Sequence, residues 1–442
     1  MIINNIHIDE CLGDRLDAQQ FHPERLSMIR RLKTITCCKL KEVAKNVKTV
    51  TTCLSNEDVY IGLENVTCGT GEYIPGIKES ISTAAVFKKG DILFSKLRPY
   101  LNKVYLAEFS GKSSTEFYIL EATNILPEYL AIILRSDIII AQTKHLVTGN
   151  TLPRLQTSDI ENLLIPYPSS TFQQKIVDLY TAAQNAKLQK DKEAKELLES
   201  IDDYLLEALS INPSQEVSSE SVFTKRISEM IGNRLDVSFY KDRFEMVSRI
   251  YPNKRLSSIV DIDPTIRFTG LADDTPISFI PMECIDDTFG EVKEQRETTI
   301  AQTKGYTKFE ENDLLWAKIT PCMQNGKSAI ARNLTNGIGC GSTEYYVIRP
   351  KTDDLIIDYV YLILRHHAVL KAAQNSFGGS AGQQRVSSQY MKSIVIPHPP
   401  IDVQKSIIET VTHKKERAKQ LQNEGSNVLE EAKATIEKMI LG

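Results

Sequence analysis

The residues with the greatest chemical potential in this sequence are eight cysteines and one cluster of acidic and basic side chains. The cysteines show neither a Cys-x-x-Cys pair nor a neighbouring His pair three to five residues apart, the usual spacings of a zinc site. Small buried or idle reduced thiols are therefore the plainer interpretation. Glu291 and Lys293 follow Asp286 and Asp287 and resemble a nuclease core. The aspartates lie too close together for a strand-separated metal site, so we do not assign one.

Cofactor-binding motifs are also missing from the sequence. It contains no Asn/Asp-Pro-Pro-aromatic motif for methylating a flipped base, no Gly-x-x-x-x-Gly-Lys-Ser/Thr loop for ATP and no Gly-x-Gly-x-x-Gly. We therefore expect no catalytic residue, no metal ion and no cofactor on this chain.

The composition is that of an ordinary globular protein. The 442 residues allow two or three domains, and 41% apolar with 25% charged residues is typical of soluble proteins. The first 30 residues carry several charges where a secretory signal needs an apolar stretch, and no apolar run is long enough to cross a bilayer. We expect a cytoplasmic protein without membrane contact. The net charge of −4 limits any DNA-binding surface to local positive patches, unless a partner supplies more positive charge.

An internal repeat is the strongest signal in the sequence. GDRLD at 13–17 recurs as GNRLD at 232–236, an offset of 219 residues. The offset is 222 between GDILFSK (90–96) and NDLLWAK (312–318), 228 between STEFY (114–118) and STEYY (342–346), and 231 between LIPYP (164–168) and VIPHP (395–399). Because the order is kept while the offset only grows, the chain contains two copies of one module whose loops differ by small insertions.

Each copy has the pattern of a mixed helix-and-strand domain. Short apolar or alternating runs at 59–66, 91–96, 103–107 and 117–120 predict strands between Gly and Pro turns. A longer stretch, 127–144 in the first copy and 355–373 in the second, predicts a helix. The fold class is therefore α+β, with module 1 at residues 1–168 and module 2 at residues 212–400.

A long helix is predicted after each module, at 169–211 and 401–442. Each would be about 55 Å long, and each carries a heptad seam that steps alternately by four and three residues. The predicted seam positions are Ile176, Tyr180, Ala183, Lys187, Lys190, Ala194, Leu197, Ile201, Tyr204 and Ala208, and then Ile407, Val411, Lys414, Ala418, Leu421, Gly425, Val428, Ala432, Thr435 and Met439. Docking of each helix on its own module is the alternative, but equal length, phase and position favour pairing of the two helices with each other.

Connectivity predicts the direction of such a pair. The first helix must carry the chain from module 1 to module 2, and the second must leave module 2. An antiparallel coiled coil satisfies both conditions and would place the modules at opposite ends of a rod. That shape would suit a DNA site in two separated parts.

This order of elements resembles the specificity subunit of type I restriction-modification systems. Each module closes on an Ile-Pro-x-Pro element and enters its helix through a Gln-Lys step, Gln174-Lys175 and Gln404-Lys405. Members of that family usually carry Glu before this Gln, whereas Gln173 and Val403 stand there. The resemblance covers the whole chain.

The resemblance implies a non-catalytic protein that binds double-stranded DNA. Each module would be a target recognition domain reading one half of a bipartite, asymmetric site. The helices would set the spacer and bind two modification subunits, which carry S-adenosylmethionine and methylate adenine. In the full complex, restriction subunits would translocate and cut DNA.

Residues that face DNA can be sought by comparing the two copies. Two modules that read different half-sites must differ at the residues that contact bases. They should agree at the residues that stabilise the fold, contact phosphate or bind the same partner protein. Lys96 and Lys318 are shared, so they are candidates for phosphate contact, with a solvated strand end as the equal alternative. Phe94 and Trp316 just before them are expected in the core.

The loops that differ are 100–113 against 322–341, and 147–156 against 377–387. Arginine recognises guanine through two parallel hydrogen bonds, so Arg154 and Arg385 are the first candidates for base reading, although a lone loop arginine is more often only solvated. The basic residues of these loops are Lys103, Lys112, Arg154, Lys327, Arg332 and Arg385.

Two other functions are compatible with the residues alone. One is a coiled-coil adaptor whose modules bind protein instead of DNA, and the other is an enzyme with an unrecognised site in the modules. Basic surface on both heads would favour DNA, and a deep polar pocket in one module would favour an enzyme.

Overall fold

A computed structural model describes residues 21–53, 59–76, 83–146, 152–212, 244–378 and 384–442. The first repeat pair, at 13–17 and 232–236, and Cys11 lie outside these ranges. Contacts divide the chain into two compact units, unit 1 (Met1–Asp191 with Gln422–Gly442) and unit 2 (Lys192–Leu421). None of the described helices combines the length and apolarity needed to span a membrane.

Module 1 contains short strands and short helices in mixed order. They are α1 (Pro23–Leu32), β1 (Cys37–Lys39), α2 (Leu40–Val43), β2 (Ala44–Asn46), β3 (Val50–Thr51), β4 (Tyr60–Ile61), β5 (Ala84–Phe87), β6 (Ile92–Ser95), β7 (Val104–Leu106), β8 (Gly111–Ser113), β9 (Phe117–Ala122), α3 (Pro127–Leu134), α4 (Asp137–Thr143), α5 (Thr157–Glu161) and β10 (Leu164–Pro166). The strands form sheets in the orders β2-β9-β6-β7, β3-β5-β8-β4 and β1-β10.

The described elements of module 2 follow a largely similar order. They are β11 (Asn253–Arg255), α7 (Leu256–Ile259), β12 (Val260–Ile262), β13 (Pro276–Ile280), β14 (Arg296–Thr299), β15 (Thr307–Glu310), β16 (Leu314–Ala317), β17 (Ser328–Ile330), β18 (Ile338–Gly341), β19 (Tyr345–Pro350), α8 (Ile357–Arg365), α9 (His367–Gln374), α10 (Ser388–Ser393) and β20 (Val395–Pro397). The sheets have the orders β12-β19-β16-β17, β14-β13-β18-β15 and β11-β20. The α+β class and the duplication predicted from the sequence are confirmed.

The central strand of each module is buried on both faces because each face meets a different core. Ile92 and Phe94 of β6 pack in one hydrophobic cluster, and Leu93 between them packs in another. Trp316 and Leu315 of β16 divide in the same way. The alternation of side chains along a strand explains why four consecutive residues are buried in β6 and in β16.

The predicted helix at 127–144 is in fact two helices, α3 and α4, and its counterpart is α8 and α9. Ser136 takes an extended conformation between α3 and α4, and His366 separates α8 from α9 while its ring accepts a hydrogen bond from the Ala368 N–H. The predicted strand at 59–66 is shorter than expected. Asn65 accepts from the Gly62 N–H at 2.8 Å and so closes a 3₁₀ turn directly after β4.

Two long helices follow the modules, α6 (Ser170–Ala208) and α11 (Ile401–Leu441). In unit 1, Lys190 bonds Glu424 at 2.5 Å, and a Cβ on Gly425 would lie 3.3 Å from the Lys187 Cα. In unit 2, Lys414 bonds the Ser200 hydroxyl at 2.7 Å. Within unit 2, Ala194 also packs with Ala418 and Leu421. In each unit, taken by itself, the residue numbers fall along α11 as they rise along α6, so the two helices pair antiparallel there.

Every predicted seam position of α6 is buried or half-buried, but at its end the fully buried residues are Leu205 and Leu209, one residue beyond the predicted Tyr204 and Ala208, because they pack in the core cluster of module 2. In α11 the prediction is wrong at Thr435, which is exposed, while Ile436 and Ile440 beside it are buried. The reason is packing on module 1: Ile436 and Ile440 belong to the same core cluster as Tyr129 and Leu130 of α3. Here the helix faces a module as well as its partner helix, and the buried stripe moves by one residue.

Candidate nucleic-acid interface

The loop after the central strand makes the same backbone hydrogen bonds in both modules. In module 1 the Lys96 N–H donates to the Glu116 carbonyl at 2.9 Å, and the Lys96 carbonyl accepts from the Leu155 N–H at 3.0 Å. In module 2 Lys318 makes the equivalent bonds, donating to the Glu344 carbonyl at 2.9 Å and accepting from the Val386 N–H at 2.9 Å. Three chain segments distant in sequence therefore meet at each shared lysine.

Each candidate base-reading arginine has a carboxylate partner at this junction. Arg154 donates to both Glu116 oxygens, at 2.9 and 2.7 Å, and Arg385 donates to both Glu344 oxygens, at 2.8 and 2.7 Å. These hydrogen bonds hold the pKa of Glu116 and of Glu344 below the ordinary value of a glutamate. Both arginine side chains remain 42% exposed. Base reading by either arginine stays a prediction, and it would require the group to share or leave its carboxylate.

The shared lysines are half-buried beside these pairs. Burial, reinforced by the nearby Arg154, lowers the pKa of Lys96, and Glu116 only partly offsets this. The Lys318 ammonium lies 5.1 Å from the centre of the Tyr346 ring, at cation–π distance. Lys96 and Arg154 therefore share one surface in module 1, as Lys318 and Arg385 do in module 2. Phosphate contact by the lysines stays a prediction.

Lys103 and Lys327, predicted as basic residues of differing loops, occupy equivalent positions in the two modules. The Lys103 ammonium donates to the Leu63 carbonyl at 2.6 Å, and the Lys327 ammonium donates to the Met282 carbonyl at 3.3 Å. Leu63 and Met282 are matching repeat positions, each opening a 3₁₀ turn. This hydrogen bond therefore stabilises the 3₁₀ turn in both modules.

The other two predicted residues lie apart from these junctions. The Lys112 ammonium donates to the Cys53 carbonyl at 2.5 Å, and Arg332 bonds both Asp358 oxygens at 2.8 and 2.6 Å. The structure thus brings Lys96 together with Arg154, and Lys318 with Arg385, and it does not bring Lys112 or Arg332 to either pair.

Two glutamates of this surface are not among the predicted site residues, and the glutamine that enters the first helix is the neighbour of the predicted one. Glu116 and Glu344 stand in the repeated Ser-Thr-Glu segment, a signal that was present in the repeat itself. The glutamine that enters the first helix is Gln173, not Gln174. Its amide accepts from the Leu126 N–H at 3.1 Å and donates to the Pro168 carbonyl at 3.0 Å, as Gln404 accepts from the Ile356 N–H and donates to the Pro399 carbonyl.

The cluster that resembles a nuclease core is a structural turn. Lys293 bonds the Asp286 carboxylate at 2.9 Å, and Asp286 accepts from the Phe289 N–H at 2.6 Å. Burial alone would raise the pKa of Asp286, but these hydrogen bonds lower it below its usual value. Glu291 is paired with Lys419. The contacts of these side chains explain the cluster without a metal ion.

One group of possible metal ligands occurs among the described residues. His22, Glu24 and His145 have ligand atoms within 4.8 Å of one another, and the two imidazole rings stack at 3.4 Å. Lys144 bonds one Glu24 oxygen at 2.6 Å, and the His145 ring bonds the other at 3.2 Å, so both carboxylate oxygens already have protein partners. We therefore assign no metal there.

A cavity of about 390 Å³ lies in unit 2 between module 2 and α11. Lys415 projects into it and donates to the Phe289 carbonyl at 2.9 Å and to the Tyr361 hydroxyl at 3.0 Å. Burial, with the positive charge of Arg365 nearby, lowers the pKa of Lys415 to about 7. The charged groups on the wall are mostly paired with one another, so the cavity does not have the convergent unpaired groups of an active site.

A duplicated α+β module with a long helix after each copy defines the class of this protein, and comparison with known proteins identifies the family. The chain belongs to the type I restriction modification DNA specificity domain family, whose model matches residues 34–199 and again 253–431. The resemblance inferred from the sequence is thus confirmed.

Relatives and a solved structure agree with this assignment. The chain is 38% identical over 156 residues to the EcoEI specificity subunit of Escherichia coli, covering 35% of this chain and 26% of that protein. It is 35% identical over 190 residues to the EcoAI specificity subunit of Escherichia coli, covering 42% and 31%. These matches therefore span about a quarter to a third of the relatives' length. A structure reported for complex assembly and conformational transition of the type I R-M system shares the fold, with a TM-score of 0.52, 18% identity and coverage of 92% and 96%.

Proposed function

We propose that this chain is the DNA-sequence specificity subunit of a type I restriction-modification complex, and that it is not itself an enzyme. Each module reads one half of a bipartite, asymmetric site. The observation that carries the proposal is the duplication: the same family model matches twice, and both modules present a lysine, an arginine and a loop on the same scaffold. Two equal scaffolds with different loops suit the reading of two different half-sites.

The proposed partners supply the chemistry. Two modification subunits bring S-adenosylmethionine and methylate adenine, and restriction subunits join them in the full complex. The long helices dock the modification subunits and set the spacer between the half-sites. At 1.5 Å per residue, the 39 residues of α6 extend about 58 Å, a distance comparable to one or two turns of B-DNA.

The test of this function is reconstitution. The purified chain alone should not methylate DNA, and addition of the modification subunit should produce adenine methylation at one bipartite sequence. Replacing residues 1–168 with the corresponding module of a relative should change one half-site and leave the other intact. Methyl transfer by the chain alone, or assembly of a complex without sequence preference, would contradict the proposal, and the second result would favour the adaptor.

The spacer function is tested by inserting one heptad at facing positions of α6 and α11, near Lys190 and within 414–425. The insertion keeps the seam and adds about 10 Å, roughly three base pairs at 3.4 Å each. Three base pairs also turn the DNA by about 100°, whereas a heptad turns the protein by about 20°. We expect weaker methylation at a lengthened spacer, measured on a library of spacer lengths. Full activity on the original spacer would show that the helices do not set the distance.

A further inference from the structure

We propose that the position held by Arg98 in module 1 and by Thr320 in module 2 reads a base, and that Arg98 contacts a guanine in its half-site. The inference rests on the proposed function and adds a specificity-determining position to it. It replaces neither Arg154 nor Arg385, whose guanidinium groups hold a carboxylate in both modules.

The two positions are equivalent by their backbone contacts. The Arg98 N–H donates to the Pro153 carbonyl at 2.8 Å, and the Thr320 N–H donates to the Gln384 carbonyl at 3.0 Å. The residue before each pairs with the arginine of the shared junction, Leu97 with Arg154 and Ile319 with Arg385. Each position therefore lies two residues beyond a shared lysine and makes matching backbone contacts, although the positive φ of Arg98 is not repeated at Thr320.

The side chains at this position differ between the modules in size, charge and exposure. Arg98 is exposed, and its guanidinium has no hydrogen-bond or ion-pair partner in the part of the chain that the structure describes. Thr320 is half-buried. Two residues further on, Tyr100 is 48% exposed, whereas Cys322 is half-buried. Common backbone contacts with different side chains are what base-reading positions of two heads require.

The backbone at Arg98 supports a functional role. Its φ of 47° and ψ of 62° lie in the left-handed region, which is uncommon for a residue other than glycine. The conformation is held by the bond to Pro153, by the buried Pro99, and by the Leu101 N–H, which donates to the Arg98 carbonyl at 2.9 Å. Non-glycine residues held in this region cluster at binding and catalytic sites.

The residues around Arg98 favour the binding of a nucleic acid, which offers both phosphate groups and base edges. Lys96 and the half-exposed Arg154 lie beside it, so positive charge on this surface can attract the phosphate backbone. Arginine then has the planar pair of donors that matches guanine O6 and N7, while threonine can bond several bases or contact a thymine methyl group. The two heads would thus have different preferences at one equivalent position.

The experiment uses the full chain assembled with its modification subunit and a DNA library randomised in both half-sites, read by methylation sequencing. Arg98→Thr should relax the preference at one base pair of the module 1 half-site by about tenfold or more and leave the other half-site unchanged. Thr320→Arg should alter one base pair in the other half-site. Arg31→Thr is the matched control, since it removes an exposed arginine of module 1 from the end of α1 and should change neither half-site.

Two further variants separate base reading from charge and from folding. Arg98→Lys keeps the charge but loses the paired donors, so it should relax the same base pair without a large loss of total methylation. Arg98→Gly accepts the left-handed backbone, so it preserves the loop and should give the same relaxation as Arg98→Thr. If the Arg98 variants lose methylation equally on every sequence, the proposal is overturned, because Arg98 would then contact only phosphate. An unchanged site would overturn it as well.

The outcomes also distinguish this inference from the proposed function. If the complex with the unaltered chain shows no bipartite preference, the proposed function itself fails. If that preference is present and Arg98→Thr leaves it intact, only the role of Arg98 fails.

Discussion

Among the described residues, module 1 and module 2 share three strands of their second sheet and differ in the fourth strand that the structure describes. The three common strands are β5-β8-β4 in module 1 and β15-β18-β13 in module 2, with a parallel pair in each, β4 with β8 and β13 with β18. The fourth strand is β3 beside β5 in module 1, but β14 beside β13 in module 2. Both modules keep the pairings of the three common strands, and the described residues of module 2 carry no counterpart of β3 beside β15. An edge strand is bonded on one side only, so it can differ without disturbing the shared pairings.

The modules also differ in how they treat one buried carboxylate. Asp91 and Asp313 are matching residues, and each accepts a hydrogen bond from the N–H three residues earlier, at 2.7 Å. Asp313 also bonds Arg349 through both oxygens, at 2.7 and 2.8 Å. Module 1 has Glu121 near Asp91 instead, and burial, aided by this glutamate, raises the pKa of Asp91. The buried carboxylate is therefore neutralised by an arginine in module 2. In module 1 its negative charge has no such partner among the described residues and destabilises the fold.

The largest expected effect comes from removing these two carboxylates. Asp313→Asn removes the charge of a fully buried carboxylate from its pair with the one-third-exposed Arg349 and leaves Arg349 with Glu310 alone, so it should cost about 3 kcal/mol in module 2. Asp91→Asn removes an unneutralised buried charge and keeps an acceptor oxygen, so it should change module 1 by less than about 1 kcal/mol. Hydrogen exchange resolved by peptide measures each module separately. Equal costs in the two modules would contradict this comparison.

A smaller effect is expected from Lys415, whose counterpart at the repeat offset of 231 is Gln184. Arg365, Lys419, Glu291, Asp286 and the Tyr361 hydroxyl surround its ammonium. Because its pKa is lowered to about 7, the unfolded chain binds more protons, and unit 2 should gain stability as pH rises from 7 towards the ordinary pKa of lysine.

The gain between pH 7 and pH 9 should be roughly 2 kcal/mol, and Lys415→Met should abolish it. Hydrogen exchange of module 2 at the two pH values, corrected for the intrinsic rate, measures it. Lys405→Met, which removes an exposed lysine of the same helix, is the control and should leave the pH dependence intact. A Lys415→Met protein with the original pH dependence would show that another group is responsible.

The smallest effect concerns Glu116 and Glu344, where the modules agree. Their lowered pKa values mean that each contributes stability above the ordinary pKa of glutamate and loses it as pH falls through the lowered value. Both are partly exposed, so solvent screening keeps each contribution below about 1 kcal/mol. Glu116→Gln and Glu344→Gln should reduce the acid sensitivity of their own modules by similar amounts in a thermal unfolding series from pH 6 to pH 3. Unequal changes in the two modules would show that the same glutamate–arginine geometry does not contribute the same stability in both.

Periodicity and repetition were readable from the sequence because they are properties of short or regularly spaced segments. The duplicated segments, the α+β class and the long helices all followed from them, and nearly all of the predicted seam positions are buried or half-buried. The exception at Thr435 arises where a module, distant in sequence, covers the helix. A heptad pattern predicts which residues contact the partner helix. It does not predict contacts with a module that packs on the helix at another angle.

The candidate surface depended on tertiary structure. Arg154 lies 38 residues from Glu116, and Arg385 lies 41 residues from Glu344, so sheet topology decides that each pair meets. The equivalence of Lys103 and Lys327 was hidden by a loop insertion and became clear only from the matching carbonyls they bond. The sequence by itself determined that two similar heads exist and which basic residues they carry. The fold decided which of those residues hold the scaffold and left Arg98 exposed, because pairing of charges depends on distances in space and not on spacing along the chain.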